Sequence, residues 1–447
     1  MAISNFPTAL QSIIQTGYLE RRFEQALRSV LRYRMVADRE PFPVRIGESL
    51  TKTRVGLLAS VTTPMSASQA TNPTGSTMLD NGLTPATYAV EQYQIQINRY
   101  ANTMNLDIVG DQVGIANQFV QNAVALGENA ARSLDDMARN ALFNAYLGGN
   151  TRVRVTLTSA GTAVSVDDIR GFTTVASNGV QQAVSSTYPM SVTIGSTVYS
   201  VIGVAADGSN VSTAPGGISG VFTTSSNVST ADGTIGNAVT AATAPSIIRS
   251  GGRATSAAIT ATDTLTMANL LDAKAKLELN AVPKIDGFYH CYLDPVSSRQ
   301  LFADSDFKIL FQGATAENAE FRAGEMRSPF LGLRFLPTTE AYVQVHPSIA
   351  GAYIRRPIIA GAGTLIEGDF AGDLTAQSGQ NVAEVSVVDG IAMVTREPLD
   401  RLQQEIAQSW LWIGGFCAPT DLTTTATTVA TATNAAYKRA VVLEHVG

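Results

Sequence analysis

The sequence predicts an α+β fold that carries an inserted β-rich domain, and three observations point to it. From Asp111 to Leu147 the apolar residues Ile115, Phe119, Leu126, Ala130, Leu134, Met137, Ala141 and Leu142 recur at steps near three and four. That spacing predicts a single helix far longer than the globular average. Several later segments alternate apolar and polar residues with period two, the mark of half-buried strands. Finally, a tract from Arg152 to Thr262, built largely of Ser, Thr, Ala, Gly and Val, combines period-two patterning with Asp-Gly and Gly-Gly turn signals. Disordered chain would be poorer in Val and Ile, so this tract predicts a small domain of strands. A chain of 447 residues accommodates roughly two or three domains.

In chain order, Tyr18 to Met35 predicts an amphipathic helix. Leu19, Phe23, Leu27, Val30, Leu31 and Met35 form its apolar face, and Arg21, Arg22, Arg28, Arg32 and Arg34 occupy the other. Pro41 and Pro43 then force extended chain. From Arg45 to Tyr100 runs a long excursion whose flanks read as strands, through Val44 and Ile46 on one side and Tyr93, Ile95 and Ile97 on the other. Between them TTPMSASQATNPTGSTMLDNGLTP has almost no charge and no pattern that could build a core. Such an arm is expected to lie on something else. Gly148-Gly149 ends the long helix.

Within the tract, Val153, Val155 and Leu157 alternate, and Val192, Ile194, Val198, Ile202 and Val204 share one parity. Two copies of SNVST, at Ser209–Thr213 and Ser226–Thr230, read as equivalent turn-and-strand pieces. Beyond it, MANLLDAKAKLELN predicts a helix ending near Pro283, and FYHCYLDP a strand buried on both faces. VSSRQLFADSDF predicts a short helix, and SPFLGLRFLPTTEA a loop feeding a strand. GTLIEGDFAG, VSVVDGIAMVTREP and QQEIAQSWLWIGGFC follow as strands, before a Thr/Ala tail from Thr423 expected to be poorly ordered.

Composition narrows the function. Charged residues make up 15% of the chain, against about 25% for an ordinary soluble domain. A surface so poor in charge is rich in hydroxyls and amides, or is covered by partners. The net charge of −6 argues against a dedicated nucleic-acid binder. Cys291 and Cys417 stand far apart, so no disulfide framework is expected. Neither a signal peptide nor a long apolar run is visible, which predicts a soluble chain made in a cytoplasm, with no membrane partner.

Catalytic patterns are missing. His290, His346 and His445 have no metal-ligand spacing, and no CxxC, HExxH or G-x-S-x-G occurs. His290 and Cys291 are neighbours in a strand and point to opposite faces. GAGTLIEG lacks the lysine of a phosphate-binding loop and the third glycine of a dinucleotide fold. Glu128, Asp135 and Asp136 are expected on a solvated or interface face of the long helix. Trp410 and Trp412 share one strand face, for packing or an interface. The sequons at Asn210 and Asn227 are not expected to carry glycans without secretion. The arginines of the first helix are expected on solvent or against a neighbour's carboxylates rather than on phosphates. No catalytic, cofactor or metal site is predicted. A lead-in helix, a coreless arm and a very long helix are parts of an assembly subunit.

This order of elements resembles the major capsid proteins of tailed double-stranded DNA phages, the Hong Kong 97-like fold. The lead-in helix Tyr18–Met35 resembles the family's N-terminal arm, and Arg45–Tyr100 its extended loop. Asp111–Leu147, with ENAARSLDDMARNALFNAYLGG, resembles the spine helix. The segment TMANLLDAKAKLELNAVPKIDGFYHCYLDPVSSRQLFADSDF resembles the opening of the domain at the capsomer centre. SPFLGLRFLPTTEA, GTLIEGDFAG and EIAQSWLWIGGFCAP look like later strands of the same fold.

The resemblance implies an arm over residues 1–44, a loop over 45–100, and a spine helix with peripheral domain over 101–151. It further implies an inserted β domain over 152–262, an axial domain over 263–395, returning strands over 396–422 and a tail over 423–447. Subunit contacts are expected at Tyr18, Arg21, Arg22 and Phe23, at Arg54, Met65, Met78 and Leu79, and at Asp135 and Asp136. The implied protein forms pentamers and hexamers of an icosahedral head around double-stranded DNA held without sequence specificity. Scaffolding, portal and decoration or cement proteins are its implied partners.

Two departures stand out. Relatives that cross-link through a loop lysine have no counterpart here, because the loop carries only Lys52, near its base. Only about 44 residues precede the loop, so the large N-terminal scaffolding segment of some relatives is not expected. An encapsulin-like nanocompartment is the runner-up within the fold. A tail or adhesin protein comes next, and an enzyme last.

Overall fold

The computed structural model describes residues 21–22, 32–43, 49–55, 90–107, 118–177, 180–209, 211–314, 331–370, 372, 382–396, 404–419 and 438–447. The chain is α+β, as predicted. Its organising element is the helix Gln118–Leu147, about 45 Å long at 1.5 Å per residue. The predicted start at Asp111 lies outside the described residues.

This spine helix packs against two sheets in succession, because its apolar stripe continues along its whole length. Phe119, Ala123, Leu126, Ala130, Ala131 and Leu134 meet Leu106, Ile391, Met393, Ile406, Trp410 and Trp412 of the first sheet. Ala138, Leu142, Phe143, Ala145 and Tyr146 meet Tyr292, Ile358, Ala360 and Val442 of the second. Alanines in the stripe let both sheets approach closely. Gly149, at φ 76, takes the left-handed conformation that stops the helix.

The first sheet has strands Ala37–Phe42, Leu365–Phe370, Glu405–Cys417, Ile391–Arg396 and Val382–Val388 in that spatial order, with Asn98–Asp107 also paired to Glu405–Cys417. Trp410 and Trp412 fall on one face, as predicted, and that face is core. Leu365–Phe370, Val382–Val388 and Ile391–Arg396 therefore all run in the sheet beneath the spine helix. The expected division at residue 395 between axial domain and returning strands does not follow the sheets.

The second sheet runs Leu333–Pro337, Tyr289–Leu293, Ile358–Ala360, Ala440–Val446, Tyr353–Arg355, Val343–Val345. Tyr289–Leu293 is buried at every position, as predicted for FYHCYLDP. Its alternation sends Cys291 toward the helices Met267–Leu279, Pro295–Ala303 and Ser305–Ala314, and Tyr292 toward the spine helix. The one short helix expected from VSSRQLFADSDF is two, divided at Asp304. A larger correction concerns the C-terminus. Ala440–Val446, inside the expected tail, is a fully buried interior strand, apolar for five of its seven residues. It pairs with Ile358–Ala360, Tyr353–Arg355 and Ile247–Arg249.

The tract after the spine helix forms its own six-stranded sheet, ordered Asn150–Arg152, Ala238–Ala241, Met190–Ile194, Thr197–Ala206, Gly220–Val228, Gly161–Val166, over its own core. The insert sheet thus spans 150–241. Residues 247–249 belong to the second sheet, so the predicted limit at 262 is too late.

Three local expectations fail here. Val153 is buried but Val155 is 53% exposed, because the strand ends at Arg152. The parity shared by Val192, Ile194, Val198, Ile202 and Val204 breaks at the two-residue turn Gly195-Ser196. Pairing of Thr197 with Ile194 matches even to odd positions, so Tyr199 and Val201 turn inward and Val198 is 67% exposed. The SNVST copies are not equivalent. The second lies at the end of Gly220–Val228, whereas the described part of the first lies in the loop before that strand.

Candidate assembly interface

Two segments are rooted on the body by specific contacts. The N-terminal one enters through the 3-10 turn Tyr33–Val36. Asp135 Oδ1 accepts the backbone N–H groups of Arg32, Tyr33 and Arg34 at 3.0, 2.7 and 3.2 Å. Burial pushes the Asp135 carboxyl above the usual range, opposed by those three donors. The Tyr33 ring stacks on Tyr292 at 5.0 Å and meets Phe143 edge-on at 6.3 Å. Arg34 inserts its guanidinium between Glu367, at 2.5 and 2.9 Å, and Asp389, at 3.0 Å. Arg39 adds a second contact to Asp389 at 2.5 Å.

Two expectations change at this root. Arg34 is neither solvated nor free for a neighbour, since its carboxylates come from its own chain. Met35, expected on the apolar face of a helix, is 56% exposed, and Tyr33 and Val36 are the buried apolar residues of the turn. The remainder of the predicted helix, apart from helical Arg21 and Arg22, lies outside the described residues.

The second segment is a two-stranded antiparallel ribbon of Ser49–Val55 and Val90–Gln96, paired from Ser49 with Gln96 to Val55 with Val90. The two strands match the predicted arm of the hairpin, and the expected strand residues Val44 and Ile46 lie outside the described residues. Tyr93 and Ile95 bury their side chains with Phe42, Ile366 and Cys417. Close approach to the first sheet is possible because Gly415 and Gly368 face the ribbon. A Cβ at Gly415 would stand 1.8 Å from Gln96 O, and one at Gly368 2.7 Å from Ile95 Cγ2. Lys52 is engaged with Glu40 at this base.

Strand Asn98–Asp107 continues from the ribbon and is exposed at eight of its ten positions, with only Leu106 buried. On the outer sheet face, away from the spine helix, the register lines up Val387, Ala392, Leu411 and Ala101 across four strands, and beside them Val385, Val394, Ser409 and Thr103. An antiparallel sheet with one solvated face ordinarily turns polar, charged residues outward. These two rows have no charge.

The insert is held against the end of the spine helix. Arg170 binds Asp168 at 2.7 Å, Pro215 O at 3.1 Å and Asn144 Oδ1. Tyr342 donates its hydroxyl to Pro215 O at 2.8 Å and stacks on Phe143 at 4.9 Å.

One constellation escaped the sequence reading, because its members are 148 positions apart. Ser297 Oγ lies 2.7 Å from His445 Nε2 and donates to Asp294, which Arg355 also grips at 2.6 Å. Ser297 and His445 are fully buried, and Asp294 caps the helix that begins at Pro295. The hydroxyl proton faces the carboxylate rather than the imidazole, and no surface reaches the serine. This group fastens the terminal strand to a helix. His290 is buried, and desolvation, with the charge of Arg334 added to it, keeps its pKa below the ordinary value. Desolvation holds the Cys291 thiol protonated, well above the usual range. Among the described residues no cluster of His, Cys, Asp and Glu could hold a metal ion.

Of the expected contact residues, Arg21 and Arg22 are exposed and helical. Arg54 lies in the ribbon opposite Glu91. Asp136 is half-buried beside Arg139 at 2.9 Å. Asp135 is corrected: at 1% exposure it is neither on a solvated face nor available to a neighbour. Glu128 is exposed, as expected. Tyr18, Phe23, Met65, Met78 and Leu79 lie outside the described residues.

No family model and no curated protein matches the chain. Among solved structures, it is similar to the capsid of Ralstonia phage GP4, with TM-score 0.48 and 12% identity over 92% of this chain and 87% of that one. The capsid asymmetric unit of cyanophage Pam1 gives 0.47 and 13% over 90% and 86%. The capsid of cyanophage P-SCSP1u gives 0.46 and 11% over 92% and 86%.

Proposed function

We propose that this chain is the structural major capsid protein of a tailed double-stranded DNA phage, with a Hong Kong 97-like subunit fold. The observation that carries the reading is the ribbon. Two seven-residue strands rooted on Gly415 and Gly368 lead into 34 residues, between Val55 and Val90, that are almost without charge and have no pattern for a core. Such a segment is stable only on another surface. The two uncharged rows of the outer sheet face and the exposed strand Asn98–Asp107 likewise suit a subunit whose surface is covered by copies of itself.

In this reading the subunits form pentamers and hexamers, with the second sheet near each ring centre. The ribbon lies across the next subunit, and the spine helix with the first sheet carries contacts between rings. Heterologous contacts of this kind close rings and, with small changes in angle, shells. DNA is enclosed without sequence-specific binding, in keeping with the net charge of −6. Portal, scaffolding and decoration or cement proteins complete the head. The chain is made in the host bacterial cytoplasm and resides in the virion, and it performs no catalysis.

Expression of the full chain, followed by size-exclusion chromatography and negative-stain microscopy, tests this. Rings or shells are expected. A compact monomer at high concentration, under every condition tried, would rule the reading out. An encapsulin-like compartment differs in content, since its purified shells would hold protein cargo rather than DNA.

A further inference from the structure

We propose that the seam between the insert and the second sheet is a binding site for a small monovalent inorganic anion, of the chloride class. A cavity of about 40 Å³ opens there, bounded by Asn150 and Thr151 after the spine helix, by the insert and by the second sheet. That is more than the roughly 10–15 Å³ one water needs. Its wall carries four guanidiniums, Arg152, Arg170, Arg249 and Arg356, against three carboxylates, Asp167, Asp168 and Glu444. The formal balance is one positive charge in excess.

The pairings show where the excess falls. Arg170 is neutralised by Asp168 at 2.7 Å. Glu444, 2% exposed, is shared by Arg249 at 2.6 Å and Arg356 at 2.8 Å, so one carboxylate serves two cations. Asp167 accepts the N–H and O–H of Thr213 at 3.1 and 2.6 Å, and Arg152 stands 3.7 Å from it. Arg356 is 97% buried; its Nε is on Glu444 and its Nη2 on Gln344 Oε1, but its Nη1 has no partner. A buried guanidinium short of an acceptor, in a wall short of one negative charge, is strongly unfavourable. One small anion in the cavity corrects the charge deficit of the wall. A divalent oxyanion would overshoot the charge, and a cation is repelled by four arginines.

The site joins two separately folded sheets, so occupancy links the insert to the strand that ends the chain. Thermal unfolding of the purified full chain tests this in sodium chloride and in sodium gluconate at equal ionic strength. Chloride is expected to raise the midpoint saturably, by about 2 °C or more, with gluconate inert. Gln344→Glu places a carboxylate beside Arg356 and should abolish the chloride dependence while retaining the raised midpoint. Crystals soaked in bromide should show an anomalous peak in the cavity. Equal midpoints in the two salts, or a bromide map with only water in the cavity, would overturn the assignment.

Discussion

Asp135 Oδ1 accepts the Tyr33 N–H at 2.7 Å across 102 positions of sequence, and the same oxygen takes the flanking N–H groups of Arg32 and Arg34. One carboxylate in the middle of the spine helix thus fixes where the N-terminal segment departs. Asp135→Ala leaves these donors without an acceptor in a buried place, at a cost of about 1–3 kcal/mol. Limited proteolysis should then cut near residue 32 much faster than in the parent. Asp135→Asn keeps an acceptor oxygen and should be cut at an intermediate rate.

Arg34 and Glu367 form a buried pair, with side chains 4% and 2% exposed. Removing one partner strands the other. Arg34→Met should lose about 3–5 kcal/mol, whereas Arg34→Met with Glu367→Gln should recover a large part of it. Denaturant melts of the two single variants and the double measure the coupling, and additive losses would contradict it. Asp389, 38% exposed, contributes far less, and Asp389→Asn should move the midpoint little.

Both roots also mark what sequence alone could not supply. The spine helix, the ribbon, the buried strand at Tyr289–Leu293 and the strand with Trp410 and Trp412 were legible because each carries its own period. Arg34 and Glu367 are 333 positions apart, and nothing local distinguishes Arg34 from the other arginines of its segment. Asp135 looked like half of a solvated pair because its apolar neighbours gave no hint that another strand of chain crosses there. The terminal strand was missed for a different reason. Ala440–Val446 follows a Thr/Ala stretch, and its burial comes from strands at 247–249, 353–355 and 358–360 that it meets only after folding. In the insert, the parity error at Val198 came from reading two strands and a two-residue turn as one continuous pattern.

Gly415 gives a sharp test of the ribbon root. A Cβ there would stand 1.8 Å from Gln96 O, a backbone atom that cannot swing aside. Gly415→Ala should displace the ribbon and cost about 1–3 kcal/mol as an overpacked site. Hydrogen exchange should quicken at Ser49–Val55 and Val90–Gln96 and remain slow in the spine helix. Unchanged exchange in the ribbon would show that it is held by other contacts.

The insert should depend on acid in a defined window. Asp232 accepts the N–H of Ser196, the hydroxyl of Tyr199 and that of Ser229, and is held down at about 2 from 3.8. Asp207 is held at about 2 by the Ser219 hydroxyl, by Ser209 and by Arg154. Folded values below unfolded ones mean stabilisation that is complete above about pH 4 and lost as the pH falls toward 2. Near-ultraviolet circular dichroism and amide exchange of the insert should follow that window. Asp232→Asn should be less stable at neutral pH and show a shallower loss between pH 4 and 2.

The arm between the ribbon strands separates folding from assembly. Residues 65–83 lie outside the described residues, and the cores around Phe119, Tyr292 and Leu270 are built from described residues elsewhere in the chain. Deleting Met65–Leu83 should therefore leave the thermal midpoint of the unassembled subunit close to that of the parent. Assembly is different, because the uncharged segment is the part with no surface of its own to cover. Light scattering and negative-stain microscopy should show few or no shells from the deletion variant at concentrations where the parent assembles. Shells formed at the parental rate would mean that the segment does not clamp a neighbour. A subunit that unfolds on deletion would mean instead that the segment belongs to its own core.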